Sequence, residues 1–136
     1  MKYLAIDHGT RRTGLAVCDA AETICWPFAV IETQKNVIAQ LKNIIEAEHI
    51  EAIVLGVPVN MDGSYGKQAQ RLRRFAKQLQ EQLDVPVHFQ DERLSSFAAE
   101  EKLAPAGLSR KKKAQKIDAV AAAHILEVFL QQKKCS

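Results

Sequence analysis

The feature that most constrains the fold is the run Ile53-Val54-Leu55-Gly56-Val57, which contains no polar residue. A strand with one face in water alternates apolar and polar residues, whereas a strand that is covered on both faces is apolar throughout. Strands of the second kind belong mostly to parallel sheets with helices packed on each side. The run therefore predicts an α/β fold with a buried parallel strand at residues 53–57.

The other periodic segments predict the remaining elements of this sheet. Short segments rich in apolar residues, bounded by turn residues, predict further strands at residues 3–7, 15–18, 24–32 and 85–90. Helical spacing of apolar residues predicts helices over 35–48, 69–83 and 117–130, with a short helical stretch at 96–103. The first three strands follow one another through short turns and should be antiparallel, whereas strands separated by helices should be parallel. Pro27 favours an edge position or a bulge for the third strand.

Together these elements form one α/β domain over residues 1–136, a mixed five-stranded sheet with helices on both faces. Ligands are expected at the carboxyl ends of its parallel strands. The chain has three cysteines and no C-x-x-C pair, which favours neither a disulfide framework nor a zinc site. No apolar run reaches the roughly 20 residues that span a bilayer, and the N-terminal residues do not resemble a signal peptide. We therefore expect a cytoplasmic protein that does not bind membranes.

Four acidic residues stand near the ends of predicted elements. Asp7 ends the first strand, Asp91 and Glu92 end the last strand, and Asp118 falls in the first turn of the last predicted helix. Carboxylates from separate elements can hold one or two Mg²⁺ or Mn²⁺ ions for phosphodiester hydrolysis. Each acid also has a structural interpretation: a turn acceptor for Asp7, an ion pair with Arg93 for the middle acids, and a favourable helix-dipole position for Asp118.

The segment from Asp7 to Gly14 is rich in glycine and arginine, with the sequence Asp-His-Gly-Thr-Arg-Arg-Thr-Gly. Gly9 and Gly14 would let backbone amides approach an anion, and Arg12 is suited to grip a phosphate. A tight hairpin with exposed arginines is the alternative. His8 is a weaker catalytic candidate, because it also fits an exposed turn residue.

A basic run, Arg110-Lys111-Lys112-Lys113 with Lys116, falls in a predicted loop at 104–116 that leads into Asp118. Neutralising phosphates there would release counterions and increase affinity for nucleic acid. The cations of the second helix would extend this surface: Arg71, Arg73, Arg74 and Lys77. Aromatic residues make up only 6% of the chain, which favours recognition of backbone and shape over base stacking. A solvated basic loop is the alternative.

Four ordered segments resemble the YqgF family, also called RuvX, of Holliday junction resolvases and pre-16S rRNA nucleases. They are Asp7-His8-Gly9-Thr10-Arg11-Arg12-Thr13-Gly14-Leu15-Ala16, Gly56-Val57-Pro58, Asp91-Glu92-Arg93-Leu94-Ser95 and Asp118-Ala119-Val120-Ala121-Ala122. The resemblance implies a RuvC-like RNase H fold and a metal-dependent nuclease acting on structured RNA or branched DNA, as a monomer or homodimer. It implies maturation of the 5′ end of 16S rRNA, with Holliday junction cleavage as the alternative.

By the same resemblance, the catalytic and metal-binding acids are Asp7, Glu92 and Asp118, holding Mg²⁺ or Mn²⁺, with Asp91 as the fallback for Glu92. From the placement of basic residues, we expect Arg12, Arg93, Arg110, Lys111, Lys112 and Lys113 to contact the nucleic acid. Strand alternation groups Asp91 with Val87 and Phe89, and Glu92 with His88 and Gln90, and does not decide between them. RuvC-type resolvases carry their second acid on the strand equivalent to 53–57, which has none here, so Glu92, Asp91 or Asp62 must supply it.

Two other classes of function fit parts of this pattern. The segment Asp7-His8-Gly9-Thr10 also resembles the first phosphate loop of actin-like ATPases and sugar kinases, which need a second half to close over the nucleotide. A non-catalytic RNA-binding assembly factor that kept the fold is the third class. Binding of ATP would indicate a nucleotide-binding protein. RNA processing that survives Asp7→Asn would indicate a non-catalytic assembly factor.

Overall fold

The computed structural model describes residues 1–57, 67–91 and 110–135. The strands are β1 (Tyr3–His8), β2 (Arg12–Cys18), β3 (Cys25–Glu32), β4 (Ala52–Val57) and β5 (Val87–Asp91). The helices are α1 (Val37–Glu48), α2 (Lys67–Gln82) and α3 (Arg110–Cys135). Within the described ranges, none of the helices is long and apolar enough to cross a membrane. The predicted loop at 58–66 and the predicted helical stretch at 96–103 lie outside these ranges.

The five strands form one sheet in the order β3-β2-β1-β4-β5. The pairs β1–β2 and β2–β3 are antiparallel, and the pairs β1–β4 and β4–β5 are parallel, as the connection lengths predicted. Within β4, the segment Ala52-Ile53-Val54-Leu55 is fully buried, which confirms that this strand is covered on both faces. The carboxyl ends of β1, β4 and β5 therefore meet at one edge of the sheet.

The edge strand β3 carries the irregularity that Pro27 predicted. Its register with β2 shifts between Leu15 and Ala16, which face Ala29 and Pro27, respectively. Phe28 is thus the extra residue of a bulge on the outer strand. Proline has no backbone N–H for a ladder hydrogen bond, so an edge or a bulge is where a strand tolerates it.

The two faces of the sheet hold separate parts of the core. The α1/α2 face contains Leu4, Ile6, Leu15, Val17, Ile53 and Leu55 with Leu41, Phe75 and Leu79 from the helices. The α3 face contains Tyr3, Ala5, Ala16, Cys18, Ala52 and Val54 with Ala122, Ile125 and Leu126 from α3. Side chains alternate along a strand, so Asp7 continues the series of Tyr3 and Ala5 toward α3.

Helix α3 begins earlier than the sequence pattern predicted. It starts at Arg110, so the prediction of a loop through residue 116 and a helix start at 117 is wrong. Pro105 and Gly107 suggested the loop, but both precede Arg110, and the Arg, Lys, Ala and Gln residues that follow are good helix formers. Asp118 consequently lies about two turns inside the helix, and the favourable dipole position expected for it does not apply.

The far end of α3 is held at the start of β1. Lys133 Nζ donates hydrogen bonds to the Tyr3 hydroxyl at 2.9 Å and to Glu22 Oε1 at 2.7 Å. The same ammonium group lies 5.0 Å from the centre of the Tyr3 ring. Because Asp118 lies at the opposite end of the packed part of α3, the helix runs antiparallel to β1 and brings Asp118 toward the carboxyl end of that strand.

Candidate active site

The backbone of α3 lies directly on Gly14 of β2. A Cβ atom built at Gly14 would overlap the carbonyl group of Asp118 and would lie 3.0 Å from the amide nitrogen of Ala119. Only glycine leaves room for the helix at this distance. The prediction that Gly14 opens a backbone amide to an anion is therefore wrong, because the space above it holds the helix.

This contact brings two distant acids together. Gly14 is the register partner of Asp7 in the β1–β2 ladder, and partners in such a ladder have Cα atoms about 5 Å apart. Asp118 lies over this pair, on the face to which Asp7 points, and both acids are partly buried. Two of the acids proposed for the site, separated widely in sequence, are thus neighbours at the carboxyl end of β1.

The Arg12 side chain forms an ion pair with Asp118. Its Nε donates a hydrogen bond to Asp118 Oδ2 at 2.8 Å. The Arg12 side chain is 39% exposed to solvent and the Asp118 side chain is 26% exposed, so water screens the ion pair. Arg12 and Gly14 are two residues apart on β2 and share a face, which explains why both meet the same residue of α3.

The donor atoms at this edge fit a hard divalent cation. Asp7 and Asp118 offer carboxylate oxygens, and Mg²⁺ is often bound by one or two carboxylates together with water. In the described part of the chain, no group of three or more His, Cys, Asp or Glu residues is placed to hold a metal ion. Glu92 and Arg93, as well as the side chain of Asp91, fall outside that part.

His8 lies on the opposite face of the sheet from Asp7. Its ring stacks on Phe75 of α2 with ring centres 3.8 Å apart and planes at 5°. Burial, and secondarily the charge of Arg71, lowers the pKa of His8 to about 4. The interpretation of His8 as an exposed turn residue is wrong, and its position on the α1/α2 face separates it from the two acids.

A directed chain of hydrogen bonds fixes the turn after β1. The Thr33 hydroxyl donates to the Gly9 carbonyl at 2.8 Å, so the Thr13 hydroxyl must be the donor to Thr33 Oγ1, also at 2.8 Å. Thr13 Oγ1 then accepts from His8 Nδ1–H at 3.3 Å, which leaves Nε2 without a proton in the neutral ring. The Gly9 amide donates to the Arg12 carbonyl at 3.0 Å and is therefore not available to an anion, contrary to the sequence prediction.

The lowered pKa of His8 makes stability depend on pH. The His8 imidazole binds a proton near pH 6.5 in the unfolded chain but only near pH 4 in the folded chain. Acidification through this window therefore favours unfolding. His8 is partly buried, and with screening by solvent we expect it to contribute a loss of about 1 kcal/mol in the free energy of unfolding between pH 7 and pH 5. Urea unfolding of wild type and His8→Gln at both pH values measures this; an equal loss in both proteins would contradict it.

The predicted basic run lies at the start of α3 rather than in a loop. Arg110, Lys111, Lys112 and Lys113 form the first turn of the helix by their backbone positions. One continuous helix therefore contains both this run and Asp118, which lies about two turns further along.

The chain matches a family model described as RuvX, Holliday junction resolvase, over residues 1–132. The chain belongs to the RuvX family. Two relatives share nearly their full length with this RuvX member, and both are named "Putative pre-16S rRNA nuclease". The one from Maridesulfovibrio salexigens is 42% identical over 132 residues, covering 96% of this chain and 98% of the relative. The one from Syntrophomonas wolfei is 39% identical over 132 residues, with coverages of 96% and 94%.

Solved structures of resolvases share the fold of this RuvX chain. Thermus thermophilus RuvC in complex with a Holliday junction substrate aligns over 100% of this chain and 97% of its own, with a TM-score of 0.63 and 17% identity. The fowlpox virus resolvase, bound to Holliday junction DNA, aligns over 100% of both chains with a TM-score of 0.58 and 12% identity. These similarities confirm the RuvC-like RNase H fold.

Proposed function

We propose that this RuvX protein is a metal-dependent nuclease that matures the 5′ end of pre-16S rRNA. The observation that carries the proposal is the meeting of Asp7 and Asp118 over Gly14, at the edge of the sheet where ligands of α/β folds bind. The full-length similarity to proteins named as pre-16S rRNA nucleases supports rRNA as the substrate.

Three acids would hold the divalent ion in this proposal: Asp7, Asp118 and Glu92. Bound Mg²⁺ or Mn²⁺ would activate a water molecule and stabilise the leaving oxygen of the phosphodiester. Asp7 is fixed by its position in β1, and Asp118 is fixed by the helix that rests on Gly14. These two carboxylates would therefore be placed before the substrate arrives, which reduces the cost of ordering the site.

Strand β5 favours Glu92 over Asp91 as the third acid. His88 of β5 contacts Tyr3 and Phe129, which belong to the α3 face. Val87 packs against the cluster on the α1/α2 face. Glu92 shares the alternation of His88, and Asp91 shares that of Val87, so continued alternation would direct Glu92 toward the face of Asp7 and Asp118.

Basic residues on two helices would bind the phosphate backbone on either side of these acids. The first turn of α3 carries Arg110, Lys111, Lys112 and Lys113, to which we add Arg12 and Arg93. On the other face, α2 exposes Arg73, Arg74 and Lys77, and Arg71 lies close enough to His8 for its charge to lower the pKa of the imidazole. Helix α2 thus extends the basic surface from the end of β1.

Replacing Lys111, Lys112 and Lys113 together by Ala should weaken binding of nucleic acid and reduce its dependence on salt. Each lost phosphate contact should lower the slope of log K against log salt by about 0.7 to 0.9. Fluorescence anisotropy with labelled RNA at several salt concentrations measures the slope. A variant with Lys35 and Lys42 changed to Ala serves as the control, because both lysines are exposed on the surface near α1. A slope equal to that of wild type would show that these three lysines do not contact the nucleic acid.

The substrate is tested by incubating the purified protein with precursor 16S rRNA and with four-way DNA junctions. Each substrate is supplied with Mg²⁺, with Mn²⁺ and with EDTA. The proposal expects metal-dependent cleavage of the precursor rRNA at its 5′ side and none in EDTA. Selective cleavage of junctions would instead support the second candidate, a Holliday junction resolvase, which the family description favours.

If neither substrate is cleaved with Mg²⁺ or Mn²⁺, the result would support one of the two non-nuclease functions, nucleotide binding or non-catalytic RNA binding. Calorimetric titration with ATP would then test nucleotide binding, and binding of precursor rRNA without cleavage would indicate an assembly factor. In either case the acids at the end of β1 would have a role other than phosphodiester hydrolysis.

A further inference from the structure

Asp118 is already paired with a cation of the protein itself. The Arg12 guanidinium reaches Oδ2 through Nε alone, at 2.8 Å. Among the described residues, neither the terminal nitrogens of Arg12 nor Oδ1 of Asp118 has another hydrogen-bond partner. The pair therefore lacks the two parallel hydrogen bonds of a bidentate arginine–carboxylate contact, which is the stronger and more rigid form.

The surroundings of this pair make it replaceable. Both side chains are partly exposed, so the attraction between them is screened by water. A divalent ion held by Asp7 and Asp118 would carry twice the charge of the guanidinium and would repel it at close range. Arg12 is the first residue of β2, beside the turn at residues 9–11, where a long side chain can turn away from the sheet.

We propose that Arg12 is an exchangeable counter-ion of this site: it neutralises Asp118 in the absence of the divalent ion and moves to a phosphate of the nucleic acid when the ion is bound. The proposal rests on the proposed function and adds a coupling between two binding events. Loading of the ion frees the guanidinium for the phosphate, and by linkage the bound strand favours loading of the ion to the same degree.

The competing role for Arg12 is a permanent one. As a positioning residue it would hold the Asp118 carboxylate in the orientation that the metal needs, and its removal would weaken metal binding. An exchangeable counter-ion competes with the metal, so its removal strengthens metal binding. The two roles therefore predict changes of opposite sign in the same measurement.

The experiment is a titration with Mn²⁺ alone, followed by electron paramagnetic resonance and without any nucleic acid. Arg12→Gln should bind Mn²⁺ about three- to tenfold more tightly than wild type, because a neighbouring positive charge is lost. Arg11→Gln is the matched control: it removes the same charge from an exposed side chain one residue away and should change the affinity less than about twofold. Arg12→Lys, which keeps the charge, should stay near wild type.

The same variants are then titrated with uncleavable RNA in the presence of Ca²⁺. Arg12→Gln should bind this RNA several-fold more weakly than Arg11→Gln does. Unchanged or weaker Mn²⁺ binding by Arg12→Gln, in a protein with the circular dichroism spectrum of wild type, would overturn the exchange. That result would leave the nuclease proposal standing if wild type still cleaves, whereas failure of wild type to bind Mn²⁺ at all would count against the nuclease proposal itself.

Discussion

Asp7→Asn and Asp118→Asn are each expected to reduce the metal-dependent cleavage rate by roughly three orders of magnitude, which is about 4 kcal/mol of barrier. An amide has the shape of the carboxylate but lacks the charge that holds a divalent cation. Because both side chains are partly exposed, the fold should survive each change. Single-turnover cleavage of precursor rRNA under saturating protein measures the loss.

The control for this pair is Asp84→Asn. Asp84 is exposed and follows α2, so the same chemical change there should leave cleavage at the wild-type rate. Normal cleavage by both Asp7→Asn and Asp118→Asn, with unchanged circular dichroism, would show that these two acids do not hold a catalytic metal. Loss of cleavage in Asp84→Asn as well would indicate a general effect of charge rather than a site.

Gly14→Ala is expected to affect both stability and activity. The added methyl group would overlap the backbone carbonyl of Asp118, and backbone cannot move aside as a flexible side chain can. Forcing extra atoms into a packed contact costs about 1 to 3 kcal/mol. The helix would have to shift away from β2, which moves Asp118 relative to Asp7. We expect a lower urea midpoint and slower cleavage even where the variant is fully folded.

A second substitution identifies the cause of this effect. Combining Gly14→Ala with Ala119→Gly removes the side chain of the residue after Asp118 but leaves the Asp118 carbonyl in place, so stability should not recover. Recovery in the double variant would mean that side-chain crowding, rather than the approach of the helix backbone, makes glycine necessary. An unchanged free energy of unfolding in Gly14→Ala would contradict the close contact altogether.

Local patterns were sufficient to predict the sheet. The apolar run of β4 requires helices on both faces, and the connection lengths decide which strands pair in parallel. Pro27 can lie only where a backbone N–H is not needed, which places its strand at the edge. Each of these constraints is contained in one segment or in the elements that connect two strands, and therefore does not depend on how α3 packs on the sheet.

The start of α3 and the role of Gly14 depend on packing and were not predicted correctly. Pro105 and Gly107 suggested a loop, but helix propensity decides where the helix begins after them. The spacing of Gly9 and Gly14 along the chain favours a turn, whereas the need for glycine at position 14 arises across the sheet, where the backbone of α3 lies on β2. The available signal was the series of small residues on one face of β2 and in α3: Gly14, Ala16, Cys18, Ala119, Ala121 and Ala122. Small residues at facing positions allow a helix to lie close to a sheet.

The proximity of Asp7 and Asp118 likewise depends on packing and could not be predicted from local patterns. Strand alternation alone places Asp7 on one face of β1. Which residues pack against that face depends on how α3 lies across β1, β2 and β3. The ion pair of Arg12 with Asp118 joins residues 106 positions apart, so no local pattern contains it. The sequence pattern predicts a phosphate contact for Arg12, whereas in the structure Arg12 pairs with one of the acids.

The most direct test of the account is a double-mutant cycle for Mn²⁺ binding with wild type, Asp7→Asn, Asp118→Asn and the double variant. If the two carboxylates share one ion, each single change should weaken binding by roughly tenfold or more, and the double variant should lose less than the sum of the two. Wild-type affinity in either single variant, or fully additive losses, would contradict a shared ion at the end of β1.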